Sequence, residues 1–155
     1  MHVLDSSAFI HDYHTTEQTA TIPLVREELE DESVYRYDAM EGSGMHVHIP
    51  NEDTTEKIRR AARESGDLEV LSETDVRLVA TAFELDGTLV TDDYAMQNVA
   101  EKLNVDVEVI ARIGGRTSTT RVPLGFTFGY TDDPEMIRDF YDVQVITRSE
   151  EALRD

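Results

Sequence analysis

The chain reads as an α/β protein with a small central parallel sheet. Short apolar runs alternate with amphipathic helical stretches from residue 1 to residue 110. The four strand cores are brief, and 155 residues suit one domain plus a short appendage. The first strand is His2-Val3-Leu4, closed by Asp5-Ser6-Ser7, with a short helix predicted from Ser6 to Asp12. Residues 11–21 read as a polar, threonine-rich loop. Pro23 then starts one long helix through Met40, with Leu24, Val25, Leu29 and Val34 near helical spacing and Gly42 and Gly44 ending it. Met45, Val47 and Ile49 alternate with His46 and His48 as a half-buried strand.

Asn51 to Asp53 can cap the next helix, which Gly66 stops. The stretch from Leu71 is strongly amphipathic, with Leu71, Val76, Val79, Ala80 and Phe83 along one stripe and Asp86-Gly87 at its end. Thr88 to Thr91 is a short buried strand, residues 92–104 a helix, and residues 105–110 a further strand. Residues 111–155 have a different character, with four of the eight glycines and no lysine or histidine. There, 125–130 reads as a strand or hairpin and 133–143 as a short helix. The expected division is a domain at 1–110 and an appendage at 111–155.

Composition excludes several classes. The 33 acidic residues against 14 basic ones give a net charge of −19, and only Lys57 and Lys102 among the basic residues are lysines. Such a surface repels itself in dilute buffer, and molar salt screens that repulsion, so a salt-adapted cytoplasmic protein is expected. Adhesion to nucleic acid through a basic face is disfavoured; binding in strong salt must rest on local contacts and bound metal. No apolar run approaches the roughly 20 residues of a membrane helix. The start of the chain lacks the features of a signal peptide. The absence of cysteine rules out disulfides and thiolate zinc sites.

The acids carry the chemistry. Ligands of a parallel sheet bind beyond the carboxyl ends of its strands. Asp5 follows the first strand, Asp92 and Asp93 follow Thr91, Asp75 lies in the first turn of its helix, and Glu27 and Glu28 lie on the helix begun by Pro23. If the first strand and Thr88–Thr91 are neighbours, Asp5 and Asp92 face one crevice. Clustered carboxylates need a counter-charge, and the hard cations Mg²⁺ and Mn²⁺ favour oxygen ligands. Such an ion acidifies a bound water and neutralises charge on a phosphodiester, so no serine or cysteine nucleophile is needed. Each acid also has a plain structural meaning: Asp5, Asp92 and Asp93 as helix N-caps, and Ser72 with Asp75 as a capping box. His46 and His48 have a spacing that can bind zinc. No third nitrogen ligand is evident, and an exposed polar face is the commoner meaning. His2, His11 and His14 read as ordinary polar residues. Arg59, Arg60 and Arg63 read as a salt-paired solvent face.

The segments VLDSSAFI, TIPLVREEL, GDLEVLSETDVRLVATAFEL and TLVTDDYAMQNVA follow one another in this order. Together they resemble the PIN-domain endonucleases, and specifically the Nob-type ribosome-assembly nucleases of archaea and eukaryotes, with the acidic composition of a halophile. The resemblance implies the PIN three-layer α/β/α sandwich. It also implies a metal-dependent endoribonuclease that cuts the small-subunit rRNA precursor at its 3′ end. By motif, Asp5, Glu28, Asp75 and Asp92 fall on the acidic catalytic and metal-binding set, with Asp93 as an adjacent metal-binding acid. Magnesium or manganese is the implied cofactor; rRNA precursor and the pre-ribosomal small subunit are the implied partners, and a homo-oligomer is compatible with the reading. The chain lacks the four-cysteine zinc ribbon usual in that family. The alternatives are a toxin-type PIN RNase held by an antitoxin, and a non-catalytic RNA- or ribosome-binding module.

Overall fold

The computed structural model describes residues 1–113 and 116–122. Strand β1 (His2–Leu4) leads into helix α1 (Ser6–Ile10), and β2 (Thr19–Thr21) into α2 (Pro23–Glu28) and α3 (Glu32–Gly42). Strand β3 (His46–Val47) is followed by α4 (Glu52–Ser65), a 3₁₀ turn at Leu68–Val70 and α5 (Glu73–Leu85). Strand β4 (Thr88–Thr91) precedes α6 (Tyr94–Lys102), and β5 (Asp106–Ile113) precedes β6 (Arg116–Val122). The sheet order is β3-β2-β1-β4-β5-β6, parallel from β3 through β5, with β6 antiparallel to β5. This is an α/β fold with a central parallel sheet flanked by helices. The sheet continues past residue 110, because β5 pairs with β6 as far as Ile113 opposite Arg116.

The order of the strands positions the site. From β1 the chain steps outward through β2 to β3, then crosses back and steps the other way through β4 and β5. The adjacent pair β1 and β4, with Leu4 opposite Val90, is therefore the switch point where connections depart in opposite directions. With right-handed crossovers, α1, α2 and α3 cover one face and α4, α5 and α6 the other, and the helices of each set pack on one another. Val3, Leu4, Leu89 and Val90 are fully buried between these layers. At the opposite end of β4, Gly87 lies against β1: a Cβ there would stand 2.8 Å from the Met1 carbonyl oxygen.

Three local expectations change. The long helix from Pro23 is two helices, because the chain turns extended at Leu29 and takes φ 54° at Asp31. Acids at 27, 28, 30, 31 and 32 sit where the first helix's carbonyl end disfavours negative charge, and the Ser33 hydroxyl bonds the Glu30 backbone instead. The loop at 11–21 ends in β2, whose Ala20 and Thr21 are buried between β1 and β3. The alternation around His46 stops early: Met45 is buried but Ile49 is 75% exposed, because β3 spans only His46–Val47. The start and stop of α4 fit the expectations. Asn51 caps α4 by accepting from the Asp53 amide, and Gly66 ends that helix in the left-handed region. The stretches predicted at 125–130 and 133–143 lie outside the described residues.

Candidate functional site

Asp5 follows β1 directly and its amide donates to the Val90 carbonyl, 3.1 Å, so its backbone is tied to β4. It is 5% exposed. One carboxylate oxygen, Oδ1, caps α1 by accepting from the Ser6 amide at 2.6 Å and also accepts from the Ser6 hydroxyl at 3.2 Å. The other, Oδ2, accepts from the buried Thr91 hydroxyl at 2.7 Å. Thr91 Oγ1 in turn accepts from the Asp93 amide at 3.0 Å. A relay thus runs from the start of α6 through the end of β4 to the end of β1. Thr91 was not legible as a site residue, since a threonine in a strand reads simply as a β-former.

The other acids arrive from three directions. Asp93 caps α6, its Oδ1 accepting from the amides of Ala95 at 2.9 Å and Met96 at 3.3 Å. Asp75 forms the expected capping box: its Oδ2 accepts from the Ser72 amide at 2.9 Å, and the Ser72 hydroxyl accepts from the Asp75 amide at 3.1 Å. Asp92 does not cap a helix; its side chain is exposed, with Oδ2 3.7 Å from His11 Nε2. Glu28 ends α2 and opens onto a cleft of about 570 Å³ that Ile10, Asp31 and Arg36 also line.

These groups share one electrostatic field. Burial pushes the Asp5 carboxyl up to about 6, against the opposing bonds from Thr91 and Ser6, and the charges of Asp75 and Asp92 raise it further. Burial also raises Asp75, with the charge of Glu28 adding to it. Asp93 is raised by burial, then by Asp75 and Asp92, while its cap bonds hold it down. Among the described residues no arginine or lysine forms an ion pair with Asp5, Glu28, Asp75, Asp92 or Asp93. Arg59 of α4 and Arg77 of α5 are engaged elsewhere: Arg59 pairs with Glu52 at 3.0 Å, Glu56 at 3.1 Å and Glu73, and Arg77 pairs with Glu73 at 2.9 Å.

A set of hard oxygen donors without arginine or lysine ion-pair partners among the described residues, several with raised proton affinity, has the chemistry that suits a divalent cation. The side chains do not form a closed cage. Among the described residues no group of three or more histidine or carboxylate side chains is arranged to hold a metal ion as it stands. Asp75 and Asp93 spend carboxylate oxygens on helix caps.

Residues 2–85 match the family described as PIN domain of ribonuclease. The chain belongs to that family, and its central parallel sheet flanked by helices is consistent with a PIN-like sandwich. Among curated proteins it is similar to endoribonuclease Nob1 of Methanocaldococcus jannaschii, 37% identical over 112 residues, covering 70% of this chain and 56% of that protein. It is likewise similar to endoribonuclease Nob1 of Archaeoglobus fulgidus, 34% identical over 110 residues, covering 68% of this chain and 65% of that protein. The similarity to endoribonuclease Nob1 of Pyrococcus abyssi is 35% over 112 residues, covering 71% of this chain and 68% of that protein. The chain thus spans between half and two thirds of the length of the first two relatives. Among the described residues no helix is long and apolar enough to cross a membrane.

Proposed function

We propose that this chain is a Mg²⁺- or Mn²⁺-dependent endoribonuclease that cleaves the small-subunit rRNA precursor at its 3′ end during ribosome maturation. The observation that carries this reading is the gathering of Asp5, Asp92 and Asp93 at the switch point of the sheet, with Asp75 and Glu28 in the same field. The relation to the Nob1 endoribonucleases supports the choice of substrate. Asp5, Glu28, Asp75 and Asp92 hold the ion, and Asp93 assists. When bound, the ion supplies a counter-charge for the carboxylates and an acidified water for attack on a phosphodiester. Thr91 and Ser6 orient the Asp5 carboxylate by hydrogen bonds and favour its charged form. Asp92 and Glu28, the exposed acids of the set, stand where an incoming RNA backbone meets the site.

The test is cleavage of an RNA spanning the 3′ boundary of the small-subunit rRNA, in molar salt with Mn²⁺. The wild type is expected to cut at one position, and chelation to abolish cutting. Asp5→Asn or Asp92→Asn should slow cutting by more than about 100-fold, since loss of mere supporting residues around a metal costs 10–100-fold. Cleavage by Asp5→Asn at the wild-type rate would remove the assigned site. Equal cutting of unrelated RNAs would remove the assigned substrate.

A further inference from the structure

At the opposite edge of the sheet from β6, the two histidines of β3 and the residue after it meet side by side. His46 Nε2 and His48 Nδ1 are 3.3 Å apart. His48 Nε2 is 2.9 Å from Glu84 Oε1 on α5. The Glu84 carboxylate is itself fixed: it accepts from the Asn51 amide at 3.2 and 3.1 Å and from the Thr54 hydroxyl at 2.9 Å. With a carboxylate on Nε2, that nitrogen of neutral His48 carries the proton and its lone pair lies on Nδ1, toward His46.

We propose that His46 Nε2 and His48 Nδ1 form a second cation site, separate from the acidic set, that takes a borderline transition-metal ion of the zinc type. Two nitrogens each about 2.0–2.1 Å from zinc lie about 3.4 Å apart at a tetrahedral angle and about 3.0 Å apart at a right angle. The observed 3.3 Å lies within that span. Imidazole suits such ions, whereas the all-oxygen set at the switch point suits magnesium or manganese. Glu84 takes the part that a carboxylate behind a metal-binding histidine commonly plays: it fixes the tautomer and the ring orientation. His46 is exposed, so two or more coordination positions stay open to water. When no ion is bound, His46 keeps its proton on Nε2 and donates it to His48 Nδ1. Binding requires only that His46 carry its proton on Nδ1 instead. The ion fastens the two-residue edge strand to α5, by way of Glu84, and to the cap of α4.

The test is calorimetric titration of the full chain with Zn²⁺ near neutral pH, in excess Mg²⁺ to occupy the acidic set. One Zn²⁺ per chain is expected. His46→Asn and His48→Gln should lose that site, Glu84→Gln should weaken it 10–100-fold, and Asp5→Asn should leave it unchanged. Cu²⁺ substituted for Zn²⁺ should show coupling to two imidazole nitrogens by electron paramagnetic resonance. His46 is exposed, so His46→Asn keeps the fold and carries the test even if a variant at the half-buried His48 does not. Zn²⁺ binding by His46→Asn as tight as wild type, a Cu²⁺ spectrum with no nitrogen coupling, or no binding by the wild type would overturn the proposal.

Discussion

Asp5 is asked to do two things that conflict. Its position one residue past a buried strand removes it from water, which disfavours its charge, and two neighbouring acids disfavour it again. Its carboxyl rises from about 3.8 to about 6, while the unfolded chain keeps the ordinary value. Between those two values the folded form binds a proton that the unfolded form has lost. Stability from this group therefore falls as pH rises through that window and levels off above it. At ~1.4 kcal/mol per pH unit, the ionised carboxylate costs on the order of 3 kcal/mol near pH 7. Asp5→Asn should accordingly raise the melting temperature of the metal-free protein near neutral pH, and the gain should shrink toward zero near pH 4. Paired thermal melts across that range check it. The side chain can be accommodated, since Thr91 Oγ1 has a second acceptor, Met96 Sδ at 3.7 Å, when it no longer donates to residue 5. A variant less stable than wild type at neutral pH would show that the ionised form is not strained.

At the level of elements, the close seating of β4 on β1 brings the ends of the two strands together. Gly87 makes that seating feasible at the start of β4, because a Cβ there would meet the Met1 carbonyl at 2.8 Å and Val3 Cγ2 at 3.2 Å. Gly87→Ala should destabilise the fold by about 1–3 kcal/mol, the usual cost of forcing an extra methyl into a packed core. Chemical denaturation measures it, and an unchanged midpoint would contradict the close packing described. Elements with their own signal were legible from sequence: α4 and α5 have caps, apolar stripes and stop signals, and β1 and β4 are apolar runs ended by acids. Those that depend on tertiary partners were not. The strand β2 is Thr-Ala-Thr, with no apolar stripe, and pairing with β1 and β3 makes it a strand. The break between α2 and α3 lies inside an unbroken helical pattern, where charge repulsion and the Ser33 hydroxyl outweigh periodicity. Among the acids, strand ends and caps were readable one by one. Their common field is a property of the sheet order, and the Thr91 relay and the His48–Glu84 bond join residues too far apart in the chain for spacing to reveal.

Across the whole molecule, charge sets the conditions under which the rest operates. With a net charge of −19, the folded chain repels itself at low ionic strength, and molar salt shortens the screening length to about 3 Å. Raising KCl from dilute to molar should therefore raise the melting temperature, and an unchanged value would mean that ion pairs such as those of Arg59 already balance the surface. The acids around the switch point carry the same imbalance, and the divalent cation we propose there would relieve it. An ion that binds only the folded form stabilises it by about 2.7 kcal/mol at a hundredfold excess over its dissociation constant. At about 2–4 °C per kcal/mol for a chain of this size, that is a rise of roughly 5–11 °C. The decisive measurement is the melting temperature of the full chain in molar KCl as Mn²⁺ is added, for the wild type and for Asp5→Asn. The account predicts a saturable rise in the wild type that Asp5→Asn loses; no rise in the wild type, or the same rise in both, would contradict it.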